Sequence, residues 1–564
     1  MSIVNVARFL PERACELPNA CALKVPLDDF DGQSGSIAYL ERTFKELNSD
    51  ADAAAHYFQH QGISRGMRAL LLVSPGLDLL RCVFALFKLG AIPVLLDPGM
   101  GLKNFLSCVQ HSAPEALVAV AKAHWIARFF PRKFATLKIR IRVGGRGWES
   151  ELLAHRSAAS FPIASTESRD LAAILFTSGS TGAPKGVCYE HGMFEGQVNL
   201  IRNRFGMEMG EVDLPLLPIF ALFNPALGMT TVVPEINPSR PATCDASRLI
   251  MAIRQNRVTN SFGSPALWWR VVRHCETAKL DLPSLKRVLV AGAPVHPELL
   301  RRLQKLLPNG TVHVPYGATE SLPVSSISSA EVLKETWTLT EQGRGTCVGT
   351  LFPGMEVRIL PVINGPITSM SESTALSAGQ IGEIAVRGPV VTRSYDRLPE
   401  ATAFAKIPDP TLADSLAVWH RMGDLGYQDE RGRLWFCGRV AERVETTAGI
   451  YHTECIEAVF NCHSRVARSA FIGLNSRPSQ VPALVVEPAP GFFPKSKAEQ
   501  SKFVDELLAI AVNARPLCGR GEQTASLPMP AMAGIYFRRS LPVDVRHNAK
   551  IHRLTLSREY TRKR

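Results

Sequence analysis

The sequence predicts an α/β protein: a large N-terminal part of parallel and mixed sheets covered by helices, then a smaller α+β C-terminal part. Three observations carry this. Apolar runs of strand length alternate with helical periods through about residue 314. At 564 residues the chain is too long for one compact core. Composition changes near residue 362, and from about 440 a shorter unit with its own helix and strands begins.

In order, Leu47 to Gln61 has a helical period, Ala69 to Val73 is a buried strand and Leu79 to Leu89 is again helical. Ala91 to Leu96 returns to strand and ends at the turn signal Asp97-Pro98-Gly99. Leu171 to Phe176 reads as a buried strand that opens into a loop of hydroxyls and glycines and closes on Lys185. Beyond it, Asp245 to Asn256 is helical, Val258 to Phe262 a strand, and Ser264-Pro265 starts a helix holding Trp268 and Trp269. Val288 to Ala291 is a strand, Pro297 to Leu307 a helix and Val312 to Val314 a short strand. Ligands gather outside the C-terminal ends of such strands. Asn364 to Gln380, rich in Ser, Gly and Thr, reads as a solvent loop. Short strands follow at Ile381 to Val386 and Arg433 to Phe436, with Gly423-Asp424-Leu425-Gly426 between them as a turn. The last unit has a helix near Glu454 to Cys462 and strands near Phe471 and Val485.

The net charge is +13, from 64 basic and 51 acidic residues. Part of it lies in the C-terminal tail, where Arg546, Lys550, Arg553, Arg558, Arg562, Lys563 and Arg564 face only Asp544 and Glu559. Another part lies in Lys138 to Val143, an alternation that predicts a strand with one basic face. Neither segment carries a nucleic-acid motif, so both read as solvated faces with affinity for anions. The tail would suit an anionic membrane or an acidic protein. The apolar stretch Ala69 to Leu96 is interrupted by Asp78, Arg81 and Lys88 and reads as core, not as a membrane span. Met1 to Arg8 lacks a secretory pattern, and twelve scattered cysteines without a C-x-x-C pair predict reduced thiols in the cytoplasm.

The loop after Phe176 is the most informative stretch. Glycines let backbone N–H groups face an anion, the hydroxyls of Thr177, Ser178, Ser180 and Thr181 add donors, and Lys185 adds charge. It is not a Walker A sequence, because Pro184 stands where a glycine should and Gly186 follows the lysine. The run from Thr177 through Ser178, Gly179, Ser180, Thr181 and Gly182 to Lys185 resembles the phosphate loop of the adenylate-forming enzymes. Other segments match that superfamily in order: Gly292-Ala293-Pro294 after a strand, Tyr316-Gly317-Ala318-Thr319-Glu320, Trp419 to Asp424, Gly438-Arg439, and Ala549-Lys550-Ile551-His552-Arg553.

The resemblance implies a division at 439/440, with a mobile C-terminal lid, and ATP and Mg²⁺ as cofactors. It implies that Gly292, Ala293 and Pro294 flank adenine, that Tyr316 packs on it beside Gly317, and that Thr319 bonds the α-phosphate. Glu320 would hold Mg²⁺, Asp424 and Arg439 would hold ribose, and Thr181, Lys185 and Lys550 would act with Glu320 on the reacting phosphate. Attack of a carboxylate on the α-phosphate needs positioning and charge neutralisation, so no nucleophilic triad is expected.

Departures from the superfamily point to an unusual second step. Ala221 stands where many acyl-CoA synthetases carry a gating histidine, Asn224-Pro225 adds a turn, and Ala441, Glu445 and Ala549 replace other family residues. The segments Pro218 to Met229, Pro315 to Val324 and Arg443 to Thr446 resemble one branch, the olefin β-lactone synthetases of bacterial hydrocarbon synthesis. That implies adenylation of a long-chain 2-alkyl-3-hydroxy acid and closure by its own hydroxyl, within an assembly containing an α/β-hydrolase-fold decarboxylase and a short-chain reductase. A fatty acyl-CoA synthetase or acyl-AMP ligase is the alternative. His191, His313 and the AMP phosphate itself are candidate bases for the hydroxyl, though His313 also reads as a packed strand residue. Phe220, Phe223, Phe262, Trp268 and Trp269 are candidate walls of an acyl pocket and read equally as core.

Overall fold

The computed structural model describes the chain except residues 1–3, 28–34, 178–183, 238–242, 412–416, 521–522, 527, 544–549 and 564. Among the described residues the strands form four sheets. The six-stranded sheet runs in the order Ile139–Val143, Ala116–Val120, Arg68–Leu72, Ile92–Leu96, Leu171–Thr177 and Lys185–Glu190. Its first five strands are parallel and the sixth returns antiparallel. Central strands such as Ala69-Leu70-Leu71 are buried on both faces, which is why they read as continuous apolar runs. Helix Phe44–His60, opened by a capping box of Thr43 and Glu46, packs with helix Leu77–Leu89 over this sheet. Two of the three charges that interrupt the apolar run are inside it: Arg81 meets Asp50, and Lys88 meets Asp52 and Asn48, all buried, while Asp78 is half-buried.

The fourteen-stranded sheet has a parallel half and an antiparallel half. The parallel half contains Cys21–Pro26, Thr230–Val232, Val212–Pro215, Asn260–Gly263, Arg287–Val290 and Thr311–Ala318, in that spatial order. Antiparallel pairing then continues through Ser321–Ser328, Thr346–Leu351, Leu434–Arg439, Val418–Gln428 and Gly382–Arg387. Two expectations change here. Gly423 to Gly426 is not a turn but the middle of the eleven-residue strand Val418–Gln428, whose register shifts beside Leu425. Residues 364–380 are not wholly solvent, because Ile367 and Met370 tuck under Trp419 in a small core of their own.

Beyond residue 443, a four-stranded sheet (Val444–Thr446, Gly449–Tyr451, Leu517–Arg520, Gln523–Ser526) and a three-stranded one (Val466–Leu474, Val481–Pro488, Ile535–Phe537) enclose two further cores. Helix Thr453–Asn461 packs on Val466–Leu474 and also on Leu434–Arg439 of the large sheet. Thr346 Oγ1 donates to Glu454 Oε1 at 2.7 Å and Leu517 N–H to the Gly343 carbonyl at 3.0 Å, so polar bonds cross that contact. No helix among the described residues is long and apolar enough to cross a membrane.

Candidate active site

One cavity of about 1940 Å³ runs between the two large sheets and the C-terminal unit. It brings together Lys185, the turn Gly292 to Pro294, Tyr316 to Glu320, Asp424, Arg439 and Lys550, residues more than 360 positions apart in the chain. Thr177 ends its strand, and Ser178, Gly179, Ser180, Thr181 and Gly182 lie outside the described residues.

Asp424 and Arg439 face each other because their strands pair in that register. Tyr316 Oη donates to Asp424 Oδ2 at 2.7 Å, and Arg439 Nη1 lies 2.9 Å from Oδ1. Burial raises the Asp424 carboxyl above its usual range, with Arg439 opposing. Arg439 does not meet Oδ1 at a hydrogen-bonding angle, and that buried oxygen has no donor among the described residues. A sugar hydroxyl is the neutral donor such an orphaned acceptor suits.

Thr319 and Glu320 form the turn of the hairpin between Thr311–Ala318 and Ser321–Ser328, tightened by a bulge at Gly317. A Cβ at Gly317 would meet the Ser321 carbonyl at 2.6 Å, so no other residue fits this turn. The Thr319 carbonyl accepts from Tyr189 Oη at 2.5 Å, and the Glu320 carbonyl from Thr392 N–H and Oγ1 at 2.9 and 3.1 Å. Tyr395 Oη donates to Glu320 Oε1 at 2.8 Å. The Tyr395 ring carries Lys185 Nζ at 4.8 Å, and Lys406 Nζ lies 5.8 Å from it. Lys406 is buried, donates to Thr392 Oγ1 at 3.0 Å, and burial lowers its ammonium to about 7 against the pull of Glu320. Sequence reasoning missed Tyr189, Thr392, Tyr395 and Lys406. Tyr189 lies on strand Lys185–Glu190, Thr392 and Tyr395 in the loop after Gly382–Arg387 and Lys406 on strand Lys406–Pro408, so no contiguous motif joins them.

The far wall is apolar. Phe220, Phe223 and Phe262 line it with Val83 and Phe194, and Phe220 stacks on Phe262 at 4.0 Å. Trp268 and Trp269 do not reach the cavity: Trp268 is fully buried in the core behind it, and Trp269 lies under Arg273 and Arg302. Neither candidate base reaches it either. His191 is buried, accepts from Val6 N–H at 3.3 Å, and burial lowers it to about 4. His313 packs on Phe205 at 5.0 Å and is likewise lowered to about 4. Ala221 and Asn224 lie behind the wall, Asn224 Nδ2 donating to Asp213 Oδ2 and Thr231 Oγ1 at 2.9 and 2.8 Å. Glu445 does not line the cavity itself, but it pairs with Arg443 at 2.7 Å and lies 3.9 Å from Arg477, and both arginines line it.

The chain is 42% identical over 561 residues to the olefin β-lactone synthetase of Stenotrophomonas maltophilia (strain K279a), covering 98% of this chain and 97% of that protein. It is 41% identical over 564 residues to the olefin β-lactone synthetase of Xanthomonas campestris pv. campestris (strain ATCC 33913), covering 99% and 97%. The amide bond synthetase McbA from Marinactinospora thermotolerans shares the fold, with a TM-score of 0.75 over 99% of this chain and 100% of that one at 21% identity. The family model for AMP-binding enzymes matches residues 32–396, a range that holds the whole six-stranded sheet and the hairpin that carries Glu320. By sequence and fold alike, this chain belongs to the AMP-binding enzymes and is an adenylate-forming ligase.

Proposed function

We propose that this protein is an ATP-dependent β-lactone synthetase. It joins the carboxylate of a long-chain 2-alkyl-3-hydroxy acid to AMP, and the acid's own hydroxyl then displaces the AMP. The observation that carries the reading is the single cavity, where Lys185, Glu320, Asp424 and Lys550 share space with the aromatic wall. The two end-to-end relatives named olefin β-lactone synthetase support it.

In the first step a carboxylate oxygen bonds the α-phosphorus and diphosphate leaves with the electron pair of the broken P–O bond. Asp424 Oδ1 accepts from the ribose, Arg439 steadies that carboxylate, and Thr319 bonds the α-phosphate. Gly292 to Pro294 and the Tyr316 ring flank the base, and residues 177–182 hold the outer phosphates. Lys185 and Lys550 neutralise charge as it builds on phosphorus. Among the described residues no three His, Cys, Asp or Glu side chains could hold a metal by themselves. Glu320 alone is a hard donor suited to Mg²⁺ that arrives on phosphate oxygens, where the ion would neutralise their charge. In the second step the hydroxyl oxygen bonds the acyl carbon, the bond to AMP breaks, and the proton passes to solvent. A tethered nucleophile gains effective molarity and needs no channel for a second substrate.

The lid in this reading is 440–564, hinged after Arg439. Twelve free cysteines suit a cytoplasmic enzyme, and the lipid product suits assembly with a decarboxylase and a reductase. The test is to incubate a 2-alkyl-3-hydroxy acid with Mg-ATP and no thiol. One AMP per acid and a β-lactone carbonyl stretch are expected. A strict requirement for coenzyme A with a thioester product would overturn the reading in favour of an acyl-CoA synthetase.

A further inference from the structure

Between Ala116 and Trp148 the chain carries eight Lys and Arg residues and no Asp or Glu. Lys138 pairs with Glu115, and Lys133 donates to Gln110. Lys122, Arg128, Arg132, Arg140, Arg142 and Arg146 meet no carboxylate among the described residues. Helix Ala121–Phe129 buries Ala123 and Ala127, which turns Trp125 and Phe129, four residues apart, to the outside. They are 61% and 72% exposed and stack on each other at 6.4 Å, and the exposed Phe130 extends them. Single exposed apolar residues are ordinary, but three contiguous aromatics with a cationic rim mark a contact surface. A basic edge strand at Ile139–Val143 could by itself be protection against edge pairing. That purpose leaves the aromatic pair unexplained.

The position of this patch relates it to the cavity. Val120, the residue before the helix, lines the cavity, as do Asn104, Ser107 and His111 from helix Leu102–Ser112. That second helix packs on the turn Pro131–Phe134, and its exposed Leu102 and Lys103 add to the apolar and cationic surface.

We infer that helix Ala121–Phe129, with the turn and basic edge strand after it, docks on a bilayer containing anionic lipids. Aromatic rings at headgroup depth ringed by Lys and Arg are how an interfacial helix binds such a surface. An acidic protein would answer the cations, but two stacked rings on an open helix face suit a fluid headgroup layer that needs no complementary pocket. The advantage of docking there rests on the lactone reading, in which acid and product are lipids that reside in the bilayer.

The test is co-sedimentation of the full chain with phosphatidylcholine vesicles, with or without phosphatidylglycerol. Binding is expected only with phosphatidylglycerol. Trp125→Ala/Phe129→Ala and Arg128→Glu/Arg132→Glu should each weaken it by about tenfold or more. Neither pair should change the unfolding temperature or diphosphate release from detergent-dispersed acid. Vesicle binding kept by the aromatic variant overturns the proposal. So does loss confined to the tail variant Arg558→Glu/Arg562→Glu, or a dimer that the aromatic variant splits. Lactone formation without vesicle binding overturns the docking face alone. Vesicle binding with a thioester product overturns the enzymatic reading alone.

Discussion

Tyr395 touches the carboxylate assigned to Mg²⁺ and lies beside two lysines, Lys185 in the cavity and Lys406 behind it. Its hydroxyl holds one Glu320 oxygen, which fixes the direction of the other. Replacing Tyr395 by Phe removes that donor and keeps the ring under Lys185. A hydrogen bond to a charged group contributes about 1.5–3 kcal/mol, so the Mg²⁺ concentration for half-maximal diphosphate release should rise by roughly tenfold or more. The KM for the acid should stay unchanged, which separates this role from general damage to the cavity. An unaltered Mg²⁺ titration would mean that Glu320 needs no such support.

At the scale of the element, the short helix Asn224–Leu227 is organised by a buried polar network and not by the cavity. Asp213 is buried, and burial raises its carboxyl to about 7, with the Asn224 amide opposing. The folded value lies above the unfolded one, so this group favours the folded state at low pH, and that contribution is lost as pH rises from about 4 to about 7. Asp213→Asn should remove this component: thermal unfolding followed from pH 4 to 8 should show a shallower decline in the variant than in the parent. Parallel curves would place the ionisation elsewhere. The same element shows why some features were legible in sequence and others were not. Parallel strands are apolar runs, and the nucleotide motifs are contiguous, so both could be read locally. The strand Val418–Gln428 could not, because Gly423, Asp424 and Gly426 favour turns, and only its neighbours hold it extended. Gly423 bends there with a φ of +66°, and a Cβ at Gly426 would meet the Trp435 carbonyl at 2.2 Å. Tyr395 and Thr392 were invisible because their bonds to Glu320 span 75 and 72 residues. Ala221 and Asn224 stand out in the sequence as departures, yet both lie behind the cavity wall, and Asn224 serves the buried polar network.

For the whole molecule, a site walled by every major unit couples ligand binding to global stability. Mg-ATP at about a hundred times its Kd should add about 2.7 kcal/mol, or roughly 2 °C in Tm for a chain of this size. Asp424→Ala should abolish the increment, whereas Lys550→Ala should retain most of it while losing diphosphate release. Loss of the increment in Lys550→Ala would make that lysine a binding residue. The pairing of strand Cys21–Pro26 with Thr230–Val232 has a consequence for biosynthesis. During translation the first strand of the large sheet emerges some two hundred residues before its parallel neighbour exists. At ordinary elongation rates that interval is about 10–40 s. For that time the first strand can pair only with its neighbour in the chain, Tyr39–Thr43, and its other edge stays open until residues 230–232 are made.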